Sequence, residues 1–131
     1  MGADHVVNSR DTEAVKAQKG KFDLLLSTVN VTLNWSAFIA TLAPNGTLHF
    51  LGLTLEPVPV SVGSLIGGAK SVTGSPTGSP AALRQLLKFA ARKKIAPQIE
   101  LFPMSQLNEA IERLHSGQAR YRIVLKADFA E

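Results

Sequence analysis

Residues 22 to 29 read Phe-Asp-Leu-Leu-Leu-Ser-Thr-Val, a near-continuous apolar run with no alternation of polar and apolar positions. A strand with one wet face alternates, so this run predicts a strand buried on both faces, the situation of an inner strand in a parallel sheet. The flanking segments agree. His5-Val6-Val7 is a short β-branched run ending at Asn8-Ser9, and Asp11 or Thr12 is placed to cap a helix through Ala14, Val15 and Ala17 that stops at Gly20. After the apolar run, Leu33 to Leu42 carries Leu33, Ala37, Ile39, Ala40 and Leu42, opened by Asn30 or Thr32 as cap and closed by Pro44-Asn45-Gly46. Thr47 to Leu53 reads as the next strand. The order β, α, β, α, β with short connectors predicts an α/β fold with right-handed crossovers in a parallel sheet.

Beyond Thr54 the texture changes. Pro57, Pro59, Gly63, Gly67 and Gly68 interrupt the apolar residues as far as Gly68, which predicts a loop with a short strand or helical turn. Lys70 to Gly74 reads as a strand. It leads through Gly74-Ser75-Pro76-Thr77-Gly78-Ser79 into a helix over Pro80 to Arg92, with Leu83, Leu86, Leu87, Phe89 and Ala90 on its inner face. A strand within Pro97 to Pro103, a helix over Ser105 to His115 closed by Gly117, and a strand over Tyr121 to Leu125 complete the order, followed by an exposed tail from Lys126. The Gly/Ser turn is the most suggestive feature for function, because backbone groups beside a helix N-terminus are a usual setting for a bound nucleotide. No glycine-rich dinucleotide fingerprint precedes it.

Composition removes several function classes. The 14 Lys and Arg against 10 Asp and Glu give a net charge of +4, but the densest basic cluster is only Arg92-Lys93-Lys94, a solvated helix end that complements the dipole. A nucleic-acid interface needs a basic face with interleaved aromatics, and the six Phe, one Tyr and one Trp sit mostly in apolar runs. The chain has no cysteine, which excludes disulfides and thiolate zinc sites and fits a reducing cytoplasm. It has no apolar run of membrane-spanning length and no signal-peptide pattern at Met1.

Several pieces, taken in order, resemble the zinc-type medium-chain alcohol dehydrogenases, most closely the cinnamyl-alcohol-dehydrogenase-like branch. These are Gly2-Ala3-Asp4-His5-Val6-Val7-Asn8, the run Phe22 to Val29, Leu42-Ala43-Pro44-Asn45-Gly46-Thr47-Leu48 through Leu51-Gly52-Leu53, and Thr73-Gly74-Ser75-Pro76-Thr77-Gly78-Ser79. Lys94 to Glu100, Asn108 to Gly117 and Arg120 to Leu125 follow at matching spacing, so the resemblance covers nearly the whole chain. It implies that residues 1–78 are the second half of a Rossmann-type NAD(P)-binding domain with a partial parallel sheet, and that 79–131 are the segment returning to a catalytic domain. The zinc ligands and the glycine-rich phosphate loop would then lie upstream of Met1. It further implies NADP(H) or NAD(H) and zinc in the intact enzyme, no zinc ligand in this chain, and a homodimer through the edge strand near Ser71 to Thr73.

The resemblance also assigns cofactor contacts. Thr28 and Val29 end a strand beside the dinucleotide, where ligands of open α/β sheets bind; the plainer reading is that Thr28 ends its strand and helps cap the following helix. Gly52 and Leu53 end the next strand, where Gly52 would admit the nicotinamide ribose or simply make a turn. Ser75, Pro76 and Thr77 correspond to the segment whose backbone binds the nicotinamide carboxamide, with one N–H fewer because of Pro76, and Ser79-Pro80 reads as cap and first helical residue. Arg122 matches an arginine that pairs with the pyrophosphate, or is a strand-edge surface residue. His5, His49 and His115 have no metal-binding spacing, His49 reads as a packing residue in a strand, and Asp4, Asp23 and Glu100 read as ordinary strand-flanking carboxylates.

No nucleophile and base pair, paired carboxylates or metal cluster is visible, so no catalytic residue is assigned. The first reading is a C-terminal fragment of a zinc-dependent alcohol or aldehyde dehydrogenase, inactive alone. The alternative is a stand-alone, non-catalytic α/β nucleotide-binding or interaction module. A self-contained flavodoxin-like protein ranks last, for want of a phosphate loop near residue 10.

Overall fold

A computed structural model describes residues 2–129 and divides the chain into two compact units, meeting between Thr77 and Gly78. In the first unit, α1 (Thr12–Lys16) is opened by Asp11, whose side chain accepts from the Glu13 and Ala14 N–H groups. The parallel strands β1 (Phe22–Ser27), β2 (Leu42–Phe50) and β3 (Ser71–Gly74) follow, in spatial order β1-β2-β3. Between them lie α2 (Trp35–Thr41) and a short α3 (Val62–Ile66). The sequence-predicted β, α, β, α, β alternation and parallel sheet are therefore present from α1 onward.

The core is the meeting of α2 with the sheet. Trp35, Ile39, Leu42 and Leu48 are buried, and Leu25, Leu33, Phe50, Val58, Val60, Leu65 and Val72 pack around them. The rings of Trp35 and Phe50 meet edge to face at 5.0 Å, a geometry that aromatic quadrupoles favour.

Several sequence expectations are corrected here. His5-Val6-Val7 is not a strand: no described strand offers it a ladder, and Val6 is 90% exposed. The α2 cap is neither Asn30 nor Thr32 but Asn34, whose Oδ1 accepts from the Ala37 N–H at 3.1 Å. β2 begins at Leu42 and ends at Phe50, so Leu51, Gly52 and Leu53 lie beyond the strand. Pro44-Asn45-Gly46 does not separate helix from strand. Those residues form an irregularity inside the ladder, where Phe22 pairs with Leu42 but Leu24 pairs with Thr47, and Asn45 takes φ 62° there. Nor is β1 buried on both faces, since Leu24 and Leu26 are 55% and 57% exposed. The α2 core covers one face, and no described element covers the other.

The second unit holds α4 (Pro80–Lys93), β4 (Ile99–Pro103), a 3₁₀ turn (Met104–Gln106), α5 (Leu107–His115) and β5 (Arg122–Lys126). β4 and β5 pair in parallel, joined by α5, which buries Ala110. β5 is one residue later than Tyr121 to Leu125, and of the tail Ala130 and Glu131 lie outside the described residues. Ser79 caps α4 through its hydroxyl and Pro80 opens it, whereas Lys94 ends it in the left-handed region at φ 56°. The inner face expected for α4 is not buried: Leu83, Leu86, Leu87 and Phe89 are 46 to 69% exposed.

Glu100 is more than a strand-flanking carboxylate. It accepts from Arg113 Nε at 3.0 Å and from the Arg120 N–H at 2.7 Å. The Arg113 hydrogen bond first, and the Arg120 N–H second, hold its carboxyl below the usual range. Asp128 is likewise lowered, chiefly by the Ser105 hydroxyl.

Candidate functional site

Because β1, β2 and β3 are parallel, their carboxyl ends share one edge of the sheet, and the first unit's predicted site residues gather there. Thr28 and Val29 follow β1, Gly52 and Leu53 follow β2, and Ser75 to Thr77 follow β3. The ends are tied together by main-chain bonds. Ser27 O accepts from both Leu51 N (2.8 Å) and Gly52 N (3.0 Å), and the Ser75 N–H donates to Phe50 O at 3.2 Å.

Gly52 is explained by the protein's own backbone. A Cβ there would lie 2.5 Å from Val29 O and 2.6 Å from Thr28 C, so the two strand ends touch only because position 52 has no side chain. This is a closer approach than a simple turn glycine requires. Leu53 lies just beyond and is largely exposed.

Beside the end of β1 is a cavity of about 330 Å³ whose lining includes Ser9, Arg10, Ser27, Thr28, Val29 and Trp35. Ser27 is only 8% exposed, yet its Oγ has no hydrogen-bond partner among the described residues. A buried hydroxyl left unpaired costs about 1–3 kcal/mol, so Ser27 is suited to a polar ligand group entering this cavity.

The sequence reading missed a three-residue arrangement at the end of β2 and β3. His49 Nδ1 lies 2.8 Å from Thr73 Oγ1 and Nε2 lies 2.9 Å from Ser75 Oγ. The register makes this possible, since His49 pairs with Thr73 and side chains two residues apart share a face of a strand. A serine hydroxyl does therefore meet an imidazole here. The third group is a neutral hydroxyl, however, which gives no negative charge to stabilise an imidazolium, so the contact orients Ser75 more than it activates it. The usable signal was a His facing two hydroxyl residues spaced i, i+2, but it appears only once the strand register is known.

Arg122 belongs to the second unit, where it opens β5 and its N–H donates to Gln98 O at 3.3 Å. Its guanidinium has no hydrogen-bond partner among the described residues. For a metal the residues do not fit: no group of three or more His, Cys, Asp or Glu is placed to hold an ion among the described residues. No described helix is long and apolar enough to cross a membrane.

Residues 1–125 match the family described as zinc-binding dehydrogenase. The chain is 47% identical over 125 residues to the aldehyde reductase AdhA of Synechocystis sp., covering 95% of this chain and 37% of that protein. In structure it is similar to a cinnamyl alcohol dehydrogenase of Sorghum bicolor, with a TM-score of 0.88 and 31% identity over 99% of this chain and 38% of that one. It is also similar to a protein called CAD of Helicobacter pylori complexed with NADP(H), with a TM-score of 0.69 and 28% identity over 82% of this chain and 32% of that one. The chain thus spans 32 to 38% of the length of these relatives.

Proposed function

Because the chain belongs to the zinc-binding dehydrogenase family, we propose that it supplies part of the nicotinamide-nucleotide site of an alcohol or aldehyde dehydrogenase. Residues 1–78 serve as the second half of the dinucleotide-binding domain, and 79–131 return to a catalytic domain that carries the zinc. The cofactor is NADP(H) or NAD(H). It supplies the hydride that passes to, or is taken from, the substrate carbon when bound. This chain's own residues bind and orient. Thr28, Val29, Gly52 and Leu53 line the dinucleotide, Ser75, Pro76 and Thr77 receive the carboxamide, and Arg122 pairs with phosphate. Catalysis needs groups that this chain does not hold, so the chain alone is expected to lack dehydrogenase activity. Among the described residues β3 has a strand neighbour on one side only, which supports a homodimer through its open edge near Ser71 to Thr73.

The observation that carries this reading is the unpaired, buried Ser27 Oγ in a cavity beside Thr28 and Val29. Trp35, the sole tryptophan, lines the same cavity and reports on its filling. NADPH should quench Trp35 fluorescence saturably. Ser27→Ala should weaken that binding about 3- to 10-fold while leaving the fold no less stable, since it removes a hydroxyl that is unpaired without ligand. Quenching that never saturates, or a Ser27→Ala variant that binds NADPH as the parent does, would refute the assignment.

A further inference from the structure

We propose that His49 is a positioning residue for the Ser75-Pro76-Thr77 loop, its imidazole clamping Ser75 so that the loop is held ready for the nicotinamide carboxamide. This rests on the reading of that loop given above.

The clamp has two anchors. Ser75 is tied to β2 through its N–H, which donates to Phe50 O, and through its hydroxyl, which meets His49 Nε2 at 2.9 Å. His49 is itself fixed on its other side by Thr73 Oγ1 at 2.8 Å, so its ring is not free to turn. Past Ser75 the main-chain donors are unpaired: Pro76 has no N–H, and the Thr77 and Gly78 N–H groups have no acceptor among the described residues. A loop whose amides await a ligand benefits from having its first residue fixed, because the ordering cost of binding is then partly met beforehand.

The imidazole also sets the polarity of Ser75. A neutral ring donates from one nitrogen and accepts at the other. If Nε2 carries the proton, Ser75 Oγ accepts from it and keeps its own hydrogen to donate to a carboxamide oxygen. If Nδ1 carries it, Ser75 donates to Nε2 and keeps lone pairs for a carboxamide N–H. Either tautomer gives Ser75 one defined role, which a freely rotating hydroxyl lacks.

The test is made on the ¹⁵N-labelled chain, with NADPH as the probe at concentrations up to millimolar. In the ligand-free wild type, His49 should show one protonated and one unprotonated ring nitrogen, the signature of a single held tautomer. NADPH should shift the Ser75, Thr77 and Gly78 amide signals saturably. His49→Phe, which removes both bonds, should weaken NADPH binding about 5- to 10-fold. Thr73→Val, which leaves the Ser75 contact in place, should weaken it about 2-fold or less. Adding Ser75→Ala to His49→Phe should cost less than Ser75→Ala costs alone, because the two residues act as a unit. If wild-type signals move but His49→Phe binds NADPH equally well, the positioning role is overturned while the loop assignment survives. If NADPH moves none of the three amides in the wild type, the loop assignment itself fails and the proposal with it. Should His49→Phe not fold, the ring nitrogens of the wild type decide: averaged tautomers overturn the clamp.

Discussion

Gly52→Ala isolates the contact that joins the ends of β1 and β2. The added methyl would lie 2.5 Å from Val29 O and 2.8 Å from Thr28 O, and relieving it to even 3.0 Å requires a shift of about 0.5 Å between backbones. Neither atom belongs to a flexible side chain, so the turn itself must move. That movement pulls on the paired bonds from Leu51 N and Gly52 N to Ser27 O. Forced overpacking costs about 1–3 kcal/mol, and weakening one of the two hydrogen bonds adds about 1 kcal/mol. The expected loss is therefore about 2–4 kcal/mol, or a fall in Tm of roughly 10 °C for a chain of this size. The assay is thermal unfolding of Gly52→Ala beside Gly63→Ala. At Gly63, in α3, the nearest atom to an added methyl is Ser61 Oγ at 3.8 Å, so alanine should be neutral or stabilise by up to about 1 kcal/mol. A Gly52→Ala variant that melts with its parent, or no lower than Gly63→Ala, would refute the argument that backbone contact dictates glycine here.

Other expectations follow from the core, the charges and the sheet edge. Ile39→Ala empties a fully buried site between α2 and the sheet and should cost about 2–5 kcal/mol, read from the urea midpoint; a loss under about 1 kcal/mol contradicts the packing. Glu100 has a lowered pKa in the folded state, so the stability it contributes is present above the ordinary carboxylate range and is lost as pH falls through the folded value. Glu100→Gln should therefore melt below the parent at pH 7 and converge with it only as pH falls through the lowered folded value, and a gap that persists or widens in acid rules out the ion pair with Arg113. Ser71→Lys puts a charge on the open edge of β3 and should shift sedimentation from dimer to monomer; an unchanged dimer, or a parent that is already monomeric, rejects the edge-pairing proposal.

Local chemistry was legible wherever it is carried by neighbours in sequence. Asp11, Ser79 and Pro80 do at α1 and α4 what their side chains and ring dictate, and Gly117 ends α5 at φ 68°. The apolar run at Phe22 is a strand, yet its exposure could not be read from the run, since burial depends on which layers face it. The α2 cap was expected at Asn30 or Thr32 and lies at Asn34, because several competent capping residues stand in a row and only geometry shows that Asn34 Oδ1 reaches Ala37 N. The order of the strands was readable along the chain, but β1 ends at Ser27 and β2 at Phe50, short of the expected Val29 and Leu53, and it was the family resemblance that singled out Thr28, Gly52 and Ser75. What stayed hidden was lateral. The approach of Gly52 to Thr28 and the hold of His49 on Ser75 depend on register, which is a property of pairs of strands.

The uncovered apolar stripe of α4 has a consequence for how the second unit breathes. Fourteen residues are near the lower limit for a helix that must stand on its own backbone bonds and caps. With Leu83, Leu86, Leu87 and Phe89 giving it little burial to hold it, α4 should open independently of the β4-α5-β5 layer. Its amides should then exchange with deuterium well before those of β4, and a protease should cut within it first, so that anything seating on the stripe would convert the most labile helix into a protected one.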